Sequence, residues 1–268
     1  MEFLRDTWHL FGRLLRATMR MPVFVIISIV QPILWVLLFG QLFKSVTTIP
    51  GFESHAQAQA VQTHLRLSYV QFLAPGISIM TALFGAAYSG MGLLNDIDRG
   101  VLDRFLATPV SRGALIAGRI LHAAVQVIVQ ATIILVVARL LGARPLGGVP
   151  GILMVFLAAA LLGAAFASFS NALALLARRQ ELVIAVMNFV VLPATFLSSM
   201  IMSRDLMPQW IRGVSRFNPV NWAVTVARAG FQGEASPEAA IYLALLAVFA
   251  LLCGVLATLS FKRYRKTM

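Results

Sequence analysis

Residues 145–177 read PLGGVPGILMVFLAAALLGAAFASFSNALALLA, 33 residues without one Asp, Glu, Lys or Arg. A helix rises about 1.5 Å per residue and a bilayer's hydrocarbon core is about 30 Å thick, so roughly 20 apolar residues cross it. Five further stretches are equally free of charge: 21–43, 67–95, 120–138, 182–203 and 239–261, the shortest 19 residues long. Lipid offers backbone N–H and C=O groups no partner, so such segments must pair their own as helices. The expected fold class is an all-α membrane protein, with six transmembrane helices in a single domain over 1–268.

Composition agrees: 59% hydrophobic, 12% charged, mean hydropathy +0.85. The net charge of +12 raises nucleic acid as a partner, but no separate basic domain exists to hold it. The arginines stand beside the ends of the apolar windows, where a membrane explains them. Cys253 is the single cysteine and lies mid-window, which excludes a disulfide framework and reads as a buried thiol. The first 20 residues interleave Arg5, Arg13, Arg16 and Arg20 with large apolar residues, unlike a cleavable signal peptide. With six spans, 14 Lys and Arg fall on the side of the termini and 8 on the other. The positive-inside rule then puts both termini in the cytoplasm of a cell-membrane protein.

Between the windows, several segments have a character of their own. In 2–20, helical spacing gathers Arg5, Asp6, His9, Arg13, Arg16 and Arg20 opposite Leu4, Trp8, Phe11, Leu15 and Met19. That pattern describes a helix lying in the cytoplasmic interface, serving either as an anchor or as a contact for a cytosolic partner. Pro22 breaks it before the first span. The loop 44–66 is polar; His55 and His64 lack the accompanying ligands of a metal site. In 145–177 the prolines and glycines supply a turn, and the helix is expected from about Ile152. Gly163, Ser168, Ser170 and Asn171 give it a small, weakly polar face suited to helix packing.

The windows hold no Asp or Glu, and His122 near a window end is the only ionisable candidate. Ion-coupled carriers need an intramembrane ionisable group, and intramembrane hydrolysis needs paired aspartates or an activated Ser/His couple. No Gly-x-x-x-x-Gly-Lys-Ser/Thr loop is present, so energy for any active transport has to come from another chain. The chain is not expected to be an enzyme by itself.

Two connecting segments carry most information. Residues 98–107 are expected to form a short helix, with Val101, Leu102, Phe105 and Leu106 apolar and Asp98, Arg99, Asp103 and Arg104 polar. Gly100 lies within it, Thr108-Pro109 ends it, and Ser111 looks like an N-cap for the next span. Such a helix suits a groove on another protein, or it rests on lipid headgroups. Asp96-x-Asp98 as a metal pair is the weaker reading. In 205–230, two helix starts follow Met207-Pro208 and Asn218-Pro219, with Trp210 and Trp222 suited to the headgroup zone. They are expected to be short external helices dipping into the outer leaflet.

The order Asp98-x-Gly100-x-x-Asp103-Arg104-x-x-Ala107-Thr108-Pro109-Val110-Ser111-Arg112 resembles the loop signature of ABC-2 type permeases. So do Leu206-x-Pro208-x-Trp210 and Arg216-Phe217-Asn218-Pro219-Val220-x-x-Ala223, in the expected order. This chain has Asp98 and Asp103 where that family usually has Glu, and Thr225 where many members have Asp. The resemblance, to the daunorubicin-resistance-type exporter branch, covers essentially the whole chain. It implies a half-transporter: two permease chains, homodimeric in the simplest case, each docked on a separate ABC ATPase that binds ATP and Mg. The segment 98–107, with Asp98, Gly100, Val101, Leu102, Asp103, Arg104, Phe105, Leu106 and Pro109, would couple to that ATPase, and 2–20 would be the connecting helix. The cargo path would run between spans two and five, past Met80, Thr81, Phe84, Tyr88, Asn188, Thr195, Phe196 and Ser199. Those faces are apolar with a few polar groups, which favours a lipophilic or amphipathic, drug-like or lipid-like substrate over a sugar polymer. The alternatives are a polysaccharide or glycolipid exporter, a membrane scaffold that binds a cytosolic protein without transport, and an ion-coupled carrier.

Overall fold

The computed structural model of the chain describes residues 2–20, 30, 32–35, 37–38, 69–106, 112–200, 204, 207–234 and 236–266. The regular elements among them are helices: α1 (Glu2–Met19), α2 (Tyr69–Ala87), α3 (Ser89–Asp98), α4 (Val101–Leu106), α5 (Arg112–Leu140), α6 (Gly148–Ala177), α7 (Gln180–Phe196), α8 (Gln209–Ser215), α9 (Pro219–Gln232) and α10 (Pro237–Lys266). Four stretches among the described residues are long and apolar enough to cross a membrane: Val70–Asp98, Gly113–Leu140, Gly148–Ala177 and Pro237–Phe261. The 182–203 window yields the shorter apolar helix α7, and most of 21–43 lies outside the described residues, as do the polar loop 44–66, Pro109 and Ser111.

Helix α6 is the centre of the bundle, packed by α10, α9, α2, α5 and α3. A helix apolar on all sides belongs inside, and small residues let neighbours approach its backbone. A Cβ on Gly163 would stand 3.0 Å from a Val127 methyl of α5, and one on Gly151 2.0 Å from the Gly230 carbonyl oxygen of α9. The helix begins at Gly148, four residues before the expected Ile152, because Pro150 is tolerated in a first turn. Around it, α5 buries Ala123, Val127, Ala131, Ile134 and Ala138, one seam at helical spacing. Helix α10 likewise buries Ala239, Tyr242, Leu246, Cys253 and Ala257, while Ile241, Leu245, Val248, Leu252 and Leu259 form the exposed apolar side that a bilayer would cover.

The α9 helix is locked by its cap. Asn218 Oδ1 accepts the Val220 N–H at 2.9 Å, while its Nδ2 donates to the Ala194 and Leu197 carbonyls of the α7 end at 2.6 and 3.2 Å. Trp222 stacks on Tyr242 of α10 with centroids 6.4 Å apart, and its indole N–H donates to the Arg216 carbonyl at 2.6 Å. Nearby, Arg204 donates to Glu238 at 2.8 Å. Burial alone would lower the Arg204 pKa, but the hydrogen bond to Glu238, together with Tyr242 and the Glu238 charge, outweighs it and holds it above the ordinary value.

Helix α1 covers part of the chain's own fold. It packs on α5, where Gly113 faces the Phe3 ring, Gly118 faces Leu10, and His122 meets the Thr18 hydroxyl at 2.9 Å. Residues 3–18 of α1 thus run along 113–122 of α5. The buried strip is Thr7, Leu10 and Phe11, whereas Leu4, Trp8 and Met19 remain 73%, 65% and 70% exposed. The expected apolar face is therefore split: one flank covers α5 and the other is free.

Candidate functional site: a junction at Asp96 and a polar bridge at Tyr88

The expected helix over 98–107 is divided in two. Asp98 is the last residue of α3, and Gly100 takes a left-handed φ of 64°, which a residue without a Cβ adopts freely. Helix α4 then starts at Val101. Leu102 is buried within the chain's own fold, so it does not offer a surface to a partner. Val101 and Phe105 are half-buried, Arg104 and Asp98 exposed; Asp103 and Leu106 lie on the helix.

Behind this turn, one carboxylate joins three elements. Asp96 Oδ1 accepts from Arg13 Nη2 of α1 at 2.7 Å, and Asp96 Oδ2 accepts from Arg119 Nη2 of α5. The Arg13 guanidinium also lies over the Phe105 ring of α4, 5.0 Å from its centroid, a cation–π contact. Leu10, Leu14, Leu102, Phe105 and Leu115 wall the ion cluster. Asp96 is 17% exposed and Arg119 11%, so water screens the pair only in part. Sequence reasoning weighed Asp96 only as half of a metal pair and placed Arg13 on a solvated stripe. An acid just past the end of one charge-free window and an arginine just before the next were the available signal.

The second group lies where α2 and α3 meet α7. The Tyr88 hydroxyl donates to Asn188 Oδ1 at 2.6 Å, and Gln180 Nε2 of α7 donates to Asn95 Oδ1 of α3 at 2.9 Å. Of the expected path residues, Tyr88 and Asn188 are brought together; Met80 and Phe84 are half-buried against the core, and Phe196 is 74% exposed. Three others are turned inward. Thr81 and Thr195 are buried and donate to the carbonyls of Ile77 and Val191 at 2.8 and 2.7 Å. A hydroxyl in an apolar bundle satisfies itself on the preceding turn of its own helix. Ser199 is buried too, its N–H donating to Asn221 Oδ1 at 3.0 Å. These three belong to the packing, not to an open face. Phe189, 81% exposed on the same helix as Phe196, was not singled out from sequence.

Arg228 is one of four arginines between the last two charge-free windows. In α9 its Nη2 donates to the Ser199 carbonyl at 2.8 Å, and its guanidinium lies 3.8 Å from the Phe72 ring centroid of α2. It thereby ties α9 to α2 and to the chain leaving α7.

Long apolar helices packed around a charge-free α6, with the ion pairs confined to their ends, define a multi-pass helical membrane protein. The chain belongs to the ABC-2 type transporter family, whose sequence profile matches residues 5–231. It is 30% identical over 227 residues to ycf38 of Cyanophora paradoxa, a candidate transport permease, covering 84% of this chain and 74% of that protein. It is 28% identical over 258 residues to the daunorubicin resistance ABC transporter permease protein DrrB1 of Streptomyces coeruleorubidus, covering 96% and 84%. DrrC of Mycobacterium tuberculosis, a candidate doxorubicin resistance ABC transporter permease, is 25% identical over 231 residues, covering 86% and 78%.

Proposed function

We propose that this chain is the permease subunit of an ABC exporter that moves a lipophilic or amphipathic, drug-like or lipid-like substrate outward across the cell membrane. Two such chains face each other through α7, and each docks on an ATPase subunit that supplies ATP and Mg chemistry. Both termini are cytoplasmic. Val101, Arg104 and Phe105, with Asp98, Gly100, Asp103, Leu106 and Pro109 around them, form the contact that couples α4 to the ATPase, and α1 relays the same movement. The observation that carries the reading is the Asp96 junction: α4 is joined through Phe105, Arg13 and Asp96 to α1, α3 and α5, so displacing α4 pulls on two long apolar helices at once. Family membership supports an ATPase partner, and the drug-resistance permeases among the relatives support the substrate class.

The cargo reading rests on α7. Leu182, Ile184, Phe189, Leu192 and Phe196 leave it with an exposed apolar face, and the Tyr88–Asn188 pair is the polar bridge from that helix to α2. A flat lipophilic molecule gains from such rings and from one hydrogen-bonding group, while a fixed charge would find no partner there. The test is reconstitution with the cognate ATPase: ATP-dependent uptake of daunorubicin into inside-out vesicles is expected, together with drug-stimulated ATP hydrolysis. A complex that hydrolyses ATP but moves neither daunorubicin nor lipid would overturn the substrate class.

A further inference from the structure

Residues 69–98 are apolar enough for one uninterrupted helix, yet the helix stops at Ala87 and restarts at Ser89. Tyr88 between them has φ −101° and ψ 12°, the values of a turn. The nearest proline, Pro75, is roughly three turns earlier, so the break belongs to Ser89-Gly90, a pairing that favours kinks. As the second residue of α3, Gly90 has no carbonyl of its own helix to bond.

What satisfies the break comes from α6. The Gly90 N–H donates to Ser170 Oγ at 3.0 Å, and Asn171 Nδ2 donates to Ser89 Oγ at 3.3 Å while also holding the Ala167 carbonyl at 2.8 Å. Ser170 and Asn171 are completely buried. The helices touch here, since a Cβ on Gly90 would stand 2.3 Å from the Ser170 carbonyl oxygen. The break sets the direction of α3 relative to α2. Both hydrogen bonds that tie this span to α7, from Tyr88 and to Asn95, are made at the break or beyond it.

We propose that Ser170 and Asn171 are positioning residues of the cargo path: by capping the break from α6 they place the Tyr88 hydroxyl against Asn188. Neither residue touches the path itself. A hydroxyl and an amide at these two positions are more than helix packing requires, because the small volume alone would be met by alanine. Their polar atoms serve the opened turn of the neighbouring span. The inference rests on the permease reading above, because only a passing molecule gives the Tyr88–Asn188 bridge a function.

The experiment compares Ser170→Ala, Tyr88→Phe and the double variant with the wild-type complex. Amide exchange at Gly90 and Met91 in the purified permease should be about tenfold faster in Ser170→Ala, the equivalent of one lost hydrogen bond. The apparent KM for daunorubicin uptake should rise in each single variant, and the double variant should be no worse than Tyr88→Phe alone, because both act at one bridge. Ser170→Cys, which is somewhat larger but keeps a weak acceptor in place, should give the same pattern in weaker form and replaces Ser170→Ala if that variant does not insert. Unchanged exchange at Gly90, or additive losses in the double variant, would overturn the inference. A wild-type complex that moves neither daunorubicin nor lipid would count against the substrate class instead, and the exchange measurement would then decide the placement of the break alone.

Discussion

Asp96 and Arg119 meet across the ends of α3 and α5, and the second oxygen of the same carboxylate holds Arg13 of α1 at 2.7 Å. One acid therefore serves two guanidiniums, and each loses its ion pair when that acid is removed.

Asp96→Ala should accordingly cost more stability than loss of either arginine. Breaking a largely buried ion pair by removing one partner costs ~3 kcal/mol or more, and here a second guanidinium loses its ion pair as well. Arg13 is more than a third exposed, so Arg13→Gln should be mild. Thermal unfolding in detergent should rank Asp96→Ala below Arg119→Gln, and Arg119→Gln below Arg13→Gln. Arg13→Gln as the most damaging change would refute the junction.

Two residues on α4 should fail in different ways. Leu102 is buried in the chain's own fold, so Leu102→Ala should lower stability by ~2–5 kcal/mol, the usual cost of such a cavity. Phe105→Asp should leave insertion largely intact but remove the ATPase from a pull-down on the permease. Retention of ATPase and of transport in Phe105→Asp would mean that α4 is not the contact.

Contact between α6 and α9 depends on glycine. A Cβ on Gly151 would sit 2.0 Å from the Gly230 carbonyl oxygen, a backbone atom that cannot step aside. Gly151→Ala should therefore force α9 away and destabilise by at least the ~1–3 kcal/mol typical of overpacking. Gly254 on α10 has nothing within 4 Å of a Cβ, so Gly254→Ala should be neutral or slightly stabilising. Equal melting temperatures for the two variants would contradict this packing.

Orientation is tested by thiol labelling in the Cys253→Ser background. Cysteines at Gln59 and Gln232 should react with an impermeant maleimide in intact cells, and one at Thr267 should react only after permeabilisation. Labelling of position 267 from outside would reverse the topology and remove α4 from the reach of any cytosolic ATPase.

Cargo contacts should appear as altered preference. Phe196 is 74% exposed on α7 and Phe84 half-buried on α2, so replacing either ring with alanine should lower export of flat aromatic compounds more than that of aliphatic ones. Competition assays across a small panel would read the shift. A uniform loss for every compound would assign the two rings to packing.

Membrane spanning, helicity and the general position of charge were legible in the sequence because they follow from composition alone. A run such as 145–177 cannot be solvated in water and cannot leave its backbone unpaired in lipid, so its length and lack of charge suffice. The helix starts at Pro208-Gln209 and Asn218-Pro219 were equally local, since proline is compatible with a first turn and Asn218 caps its own helix. The site was less legible. Thr81, Thr195 and Ser199 have the same composition as residues lining a path, and only their burial and hydrogen bonds assign them to packing.

Tertiary structure alone decided which side chains meet. Arg13 and Asp96 are 83 positions apart, Tyr88 and Asn188 are 100 apart, and each pair depends on how two helices cross. A crossing angle is set by which ridges interlock, here by glycines at 118, 151 and 230 that admit a neighbouring backbone. The break at Tyr88 is of the same kind: Ser89-Gly90 permits it, but Ser170 and Asn171 on another helix make it stable. Sequence determined what must be helical and where charge can stand, because those are properties of one segment against its solvent. The contacts that make a site are properties of two segments against each other, and they exist only once the bundle has packed.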